Sequence, residues 1–114
     1  MNTLRLDEQL NALIIQRKTE EAFRRFYSED VVAQENDEPE RVGRDAWMHA
    51  RLEFESKMKR FSARVLAHAA NGDTSFSEWQ YDVDIEGMGA LSVAQVAVRR
   101  WKDGRVVRER FYHK

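Results

Sequence analysis

The hydrophobic period of the chain changes near residue 61, and that change limits the folds open to it. Before this point apolar residues recur at helical spacing; after it they alternate, as in half-buried strands. Three turn signals divide the second half: Asn71-Gly72, Gly87-Met88-Gly89 and Lys102-Asp103-Gly104. Asn-Gly marks a hairpin because both residues accept positive φ, and the last signal suits a three-residue loop with glycine in the left-handed position. Strands are therefore expected at about 61–70, 74–86, 90–101 and 105–113, each antiparallel to the next.

In the first half, Leu6, Leu10, Leu13 and Ile14 fall on one helical face. Thr19 followed by Glu20 and Glu21 has the form of a helix N-cap with acids in the first turn. Two helices follow, over about 4–17 and 20–28, the second burying Ala22, Phe23, Phe26 and Tyr27. Val31 to Glu35 is a short β-leaning run, and the only proline, Pro39, ends regular structure beyond it. Trp47, Ala50, Arg51, Phe54, Met58 and Phe61 trace a third helical stripe over about residues 44–60, a pattern typical of core packing. The order implies an α+β domain, with three helices packed on a strongly bent antiparallel sheet edged by residues 31–35.

The 114 residues read as one domain, 1–114, and 42% hydrophobic residues suffice for a core. No cysteine is present, which removes disulfides, thiol nucleophiles and cysteine-ligated metal. A net charge of −1 argues against nucleic acid as a partner. No apolar run approaches the roughly 20 residues of a membrane span, and MNTLRLDEQL lacks the apolar core of a signal peptide. A cytoplasmic protein with no membrane partner is the expectation. His49, His68 and His113 are too scattered to ligate a metal, and there is neither a glycine-rich phosphate loop nor a nucleophile elbow. No cofactor is expected.

Three segments carry a family resemblance: Phe26-Tyr27-Ser28-Glu29-Asp30-Val31-Val32, Val42-Gly43-Arg44-Asp45-Ala46, and the run from Val98 to Tyr112. With the element order, they resemble the bacterial SnoaL-like branch of the nuclear transport factor 2-like superfamily, whose fold is a cystatin-like α+β cone. That superfamily includes ketosteroid isomerases, polyketide cyclases, epoxide hydrolases, dehydratases, transport adaptors and proteins without assigned activity, so the resemblance implies a fold and not a reaction. By the same resemblance, Glu35 falls where the ketosteroid-isomerase branch carries its proton-abstracting aspartate. The positions for that branch's oxyanion-hole tyrosine and protonated acid fall near Asn11 and Ala97, which cannot do that work, so steroid isomerisation is not implied.

Alternation and turn register assign the strand faces. A three-residue Lys102–Gly104 loop pairs Trp101 with Arg105 and sets Gln95, Ala97 and Arg99 on one face with Val107, Glu109, Phe111 and His113. A two-residue Met88-Gly89 turn adds Glu78, Gln80 and Asp82 to it, with Glu78 opposite Arg99. In a cone this concave face encloses a hydrophobic pocket. The candidate catalytic residues are Glu35 or Glu78 as general base, with His113 tuned by a neighbouring carboxylate; Trp47, Phe54, Gln95, Arg99, Glu109 and Phe111 are the candidate ligand-binding residues. The other reading of the polar set is a salt-bridge network.

Two functions compete. One is a small-molecule pocket for an apolar or mixed-polarity metabolite, served by isomerase, cyclase or dehydratase chemistry. The other is a non-catalytic dimeric module that binds a ligand or another protein. The opposite, convex face, read as Trp79, Tyr81, Val83, Val96, Val98 and Tyr112 with Arg108 and Arg110, is too apolar for water and suggests a homodimer.

Overall fold

Apolar stripes dictate the three helices, and the computed structural model of the protein, which describes residues 2–114, sets them against one bent sheet. The elements are α1 (Thr3–Ile15), α2 (Thr19–Phe26), β1 (Tyr27–Glu35), β2 (Arg41–Val42), α3 (Arg44–Ser56), β3 (Met58–Asn71), β4 (Thr74–Ile85), β5 (Gly89–Lys102) and β6 (Arg105–His113). The Asn2 side chain caps α1 by accepting from the Arg5 amide at 3.0 Å, and Leu10 and Leu13 are buried beneath it. Thr19 is the first residue of α2 rather than its cap. Its hydroxyl donates to the Glu55 carboxylate at 2.7 Å and ties α2 to the end of α3.

The sheet order is β2-β1-β6-β5-β4-β3. The α+β cone and its four-strand antiparallel meander are as the sequence implies. The sheet as a whole is mixed, because β1 runs parallel to β6, with Glu35 beside Phe111. β1 also begins four residues earlier than the β-leaning run, and β2, two residues long, carried no pattern to read. Bulges at Leu66 in β3 and at Val107 in β6, opposite Arg100 and Trp101, interrupt the ladder.

Two turns differ from the expected ones. Lys102 pairs with Arg105 across a two-residue Asp103-Gly104 turn, both residues at positive φ. The bulge at Val107 restores the phase, so Gln95, Ala97 and Arg99 still lie opposite His113, Phe111 and Glu109. Close to the turn it is Val106, not Val107, that is buried. The β4–β5 turn has three residues, since Ile85 pairs with Gly89 across Glu86-Gly87-Met88. That single residue inverts every side chain of β4. Trp79, Tyr81 and Val83 therefore face the helices, and Glu78, Gln80 and Asp82 face outward. Arg99 lies opposite Ser75, and Glu78 lies opposite Val96.

Trp79 is fully buried, stacked on Tyr81 at 5.2 Å between ring centroids. On the register seen here, Trp79→Ala should cost about 3–5 kcal/mol, whereas Glu78→Ala should stay within about 0.5 kcal/mol of wild type. Urea unfolding of the two variants checks the phase of β4; a larger loss at residue 78 would restore the inverted register.

Candidate functional site

A guanidinium sits at the narrow end of the cone, where every polar group must find a partner. Arg99 Nε donates to Glu109 Oε2 at 2.7 Å, and its Nη1 to Asp7 Oδ1 at 2.8 Å and Asn11 Oδ1 at 2.6 Å. Asp7 also accepts from the hydroxyls of Ser75 (2.8 Å) and Ser77 (2.7 Å), and Ser75 accepts from Trp101 Nε1 at 2.9 Å. Glu109 accepts in addition from the Tyr27 hydroxyl and from Trp47 Nε1 at 3.1 Å. Asp7, Arg99 and Glu109 are each 1% exposed.

The charges of this network hold one another in place. Burial opposes Arg99's charge, but the Tyr27 hydroxyl, Asp7 and Glu109 keep the guanidinium protonated far more firmly than in water. Burial alone would raise the Asp7 carboxyl; Arg99 and the two serine hydroxyls outweigh it and hold the group below its ordinary 3.8. Tyr27 is pushed well up by burial and by the Glu109 carboxylate. The cluster is sealed, with both carboxylates and Arg99 Nε and Nη1 bonded, which is the arrangement of a structural network rather than of a reacting site.

Four residues along β5, roughly 13 Å away, the cone opens. Here lies a cavity of about 390 Å³, within the roughly 300–1,000 Å³ of small-molecule sites. Ile14, Phe54, Phe61, Val83 and Val93 give it apolar walls. Its polar lining includes Glu35, Arg51, Tyr81, Gln95 and His113. Asn36, at φ 48°, turns the chain out of β1, and its side-chain oxygen accepts from the His113 amide at 2.9 Å. That corner brings Glu35 Oε2 to 2.7 Å from His113 Nε2. The pair is about one-third and one-quarter exposed. His113 is raised above 6.5, first by the Lys114 carbonyl accepting from Nδ1; burial opposes this, and the Glu35 carboxylate adds to the rise. The rise favours the imidazolium, which in its protonated form makes a charge-assisted bond to the carboxylate at the cavity rim.

Of the candidate residues, the structure gathers Glu35, His113, Phe54 and Gln95 around this cavity. Glu78 is exposed on the convex face and is withdrawn as a cavity acid. Arg99 and Glu109 belong to the sealed network, and Trp47 and Phe111 pack on each other in the core at 6.2 Å. Neither Arg51 nor Tyr81 was singled out from sequence as a site residue. Among the described residues, no three His, Cys, Asp or Glu side chains gather as a metal ion would require, and no helix is long and apolar enough to cross a membrane.

A family model described as a SnoaL-like domain matches residues 8–109. Among solved structures, the chain is similar to a Mesorhizobium loti protein proposed as a SnoaL-like polyketide cyclase (TM-score 0.83, 19% identity, 98% of this chain and 99% of that one). It is similar to a Mycobacterium tuberculosis LEH-like epoxide hydrolase (0.82, 15%, 98% and 82%). A third is a Catenulispora acidiphila hypothetical protein of ketosteroid isomerase-like fold, in complex with trimethylamine (0.80, 13%, 97% and 86%). At these identities the likeness is one of fold. No curated protein matches the sequence.

The network sets an acid limit on stability. Because Asp7's folded value lies below its unfolded one, its contribution is present above 3.8 and is lost as pH falls through the folded value. Urea midpoints measured from about pH 4 down to about pH 2 should fall more steeply in wild type than in Asp7→Asn. At neutral pH, Arg99→Met should cost about 3–5 kcal/mol, since it leaves two carboxylates buried without their cation.

Proposed function

The chain belongs to the SnoaL-like domain family, and from that premise we propose that its cavity binds a small, largely apolar metabolite on which the Glu35–His113 pair performs acid–base chemistry. The observation that carries this reading is the 2.7 Å contact between the two side chains at the rim of an apolar cavity. His113 occupies Glu35 Oε2, and Oε1 makes no hydrogen bond to any described residue. Oε1 is the atom to take a proton from an acidified carbon, and the imidazolium can return one to a developing alkoxide or leaving hydroxyl. Gln95 and the Tyr81 hydroxyl line the same space as neutral donors for a developing oxyanion. Proton abstraction next to a carbonyl is the step that isomerisation, cyclisation and dehydration share, and the reading goes no further than that step.

The test is solvent-deuterium exchange at the acidic carbons of cyclohexanone and 2-tetralone. Wild type should exchange them faster than buffer, and Glu35→Gln should lose about 10²–10⁴-fold of the enhancement with an unchanged urea midpoint. Exchange at the buffer rate in wild type, or undiminished in the variant, would overturn the acid–base role. In the same variant the His113 titration should move down toward 6.5, because its anionic partner is gone.

A second reading concerns the convex face, from which the inverted phase of β4 removes Trp79, Tyr81 and Val83. Phe76 and Val96 remain exposed there at 39% and 37%, beside Leu66 at 51% and Tyr112 at 44%. Arg108 and Arg110 flank Tyr112 on β6, and Arg110 lies 4.7 Å from its ring centroid. We propose that two copies of the chain cover this face about a two-fold axis, which is the usual symmetry of small homo-oligomers. Sedimentation at micromolar concentration should give a dimer, and Phe76→Glu a monomer. A monomeric wild type, or a dimer that survives Phe76→Glu, refutes this interface.

A further inference from the structure

Arg51, unlike the fully buried Arg99, is only partly buried. It lies one helical turn after Trp47 on α3, with its guanidinium carbon 6.0 Å from the Trp47 ring centroid and 5.9 Å from that of Phe111. Its side chain lines the cavity. Arg99 has Nε and Nη1 committed to three side chains. Arg51, among the described residues, makes no side-chain hydrogen bond, and no acid lies within 4 Å of it. A guanidinium carries five N–H donors in a planar fork, and all five of Arg51's are uncommitted.

The neighbouring acids do not answer this charge. Glu109 already takes bonds from Tyr27, Trp47 and Arg99, and Glu55 takes both of its bonds from Thr19. Glu35 is paired with His113. Burial opposes Arg51's charge, yet the field of the Glu109 and Glu55 carboxylates keeps it protonated without a direct bond. A cation so placed, with rings on its stem and an apolar cavity before its fork, lacks a planar anion.

We propose that the ligand of this cavity is a small monocarboxylic acid with an apolar ring or chain, its carboxylate held by the Arg51 guanidinium and its apolar body against Ile14, Phe61 and Val93. Bidentate geometry selects a carboxylate over a ketone oxygen. The single planar fork of Arg51 suits a monoanion, since the other charges of the lining, Glu35, Glu38 and Glu55 against Arg17 and Lys114, are of both signs. The apolar walls exclude a small hydrophilic acid. This assignment rests on the reading of the cavity as a ligand site and names the class of molecule it takes; it is independent of whether Glu35 moves a proton.

The experiment is calorimetric titration of the full chain with 2-naphthoate and with the neutral 2-naphthamide, at about pH 7. Wild type should bind the acid at least tenfold more tightly than the amide, about 1.4 kcal/mol. Arg51→Met keeps an apolar stem on Trp47 and Phe111; it should bring acid and amide to within about twofold of each other, chiefly by weakening the acid, and Arg51→Lys should restore part of the preference. Arg51→Gln serves as a second variant, with the urea midpoint reporting whether each is folded. Equal binding of acid and amide by wild type overturns the proposal, as does an acid preference that survives in folded Arg51→Met or Arg51→Gln. If wild type binds neither compound, the cavity reading falls with it. An Arg51-dependent acid preference without ketone exchange would leave this assignment standing and remove only the acid–base role.

Discussion

Arg99 is the group on which the rest of the molecule is arranged. Its guanidinium draws Asp7 and Asn11 of α1 onto Ser75 and Ser77 of β4, and Glu109 of β6 onto Tyr27 of β1 and Trp47 of α3. The helices are thus fixed to the sheet by directional bonds as well as by Leu10, Phe23 and Phe26. Apolar packing alone tolerates sliding and repacking. A buried carboxylate deprived of its cation does not, because desolvation then goes uncompensated. The network therefore specifies where α1 and α3 sit, and with α3 the position of Arg51 over the cavity.

Most of the fold was legible because it rests on periods that survive local error. Helical spacing located all three helices, and the change near residue 61 located the meander. The faces of β5 and β6 were read correctly through two offsetting departures, a turn one residue shorter than expected and a bulge at Val107 that restores the phase. β4 had no such compensation. Gly87-Met88-Gly89 contains two positive-φ glycines and accepts either turn length, so sequence could not decide which set of β4 faced inward. One clue was present in the inverted assignment itself, which placed Trp79, Tyr81 and Val83 in water and three polar residues in the core.

The site was legible in part, for a different reason. Glu35 and His113 both end strands, so approximate register sufficed to bring them together. Arg51 stood inside the apolar stripe of α3, between Trp47 and Phe54, and was read with it as packing. A permanently charged residue in such a stripe is either paired in the core or lines a void, and only the positions of Glu109 and Glu55 distinguish the two. Asp7 and Asn11 gave the corresponding signal on α1. They lie four residues apart, directly after Leu6 and Leu10, which places two polar side chains along the buried face.

The two ends of the β5–β6 ladder differ in how completely their polar groups are satisfied, and that difference separates scaffold from site. At Arg99 and Glu109 donors and acceptors from six elements meet, and Asp7, Arg99 and Glu109 are each 1% exposed. At Gln95 and His113, further along the same two strands, an open cavity replaces the network. Arg51, Tyr81 and Gln95 there have no side-chain partner among the described residues, and the Asn36 corner holds the Glu35–His113 pair at the opening. Closing this end as tightly as the other would take a carboxylate near Arg51 and an acceptor near Tyr81, and the fold supplies neither. A protein selected for stability alone gains nothing by leaving a charged guanidinium unmatched beside an apolar cavity, since an apolar residue of similar volume would pack there at lower cost. The donors left without a protein partner are therefore the feature on which the proposed ligand binding rests.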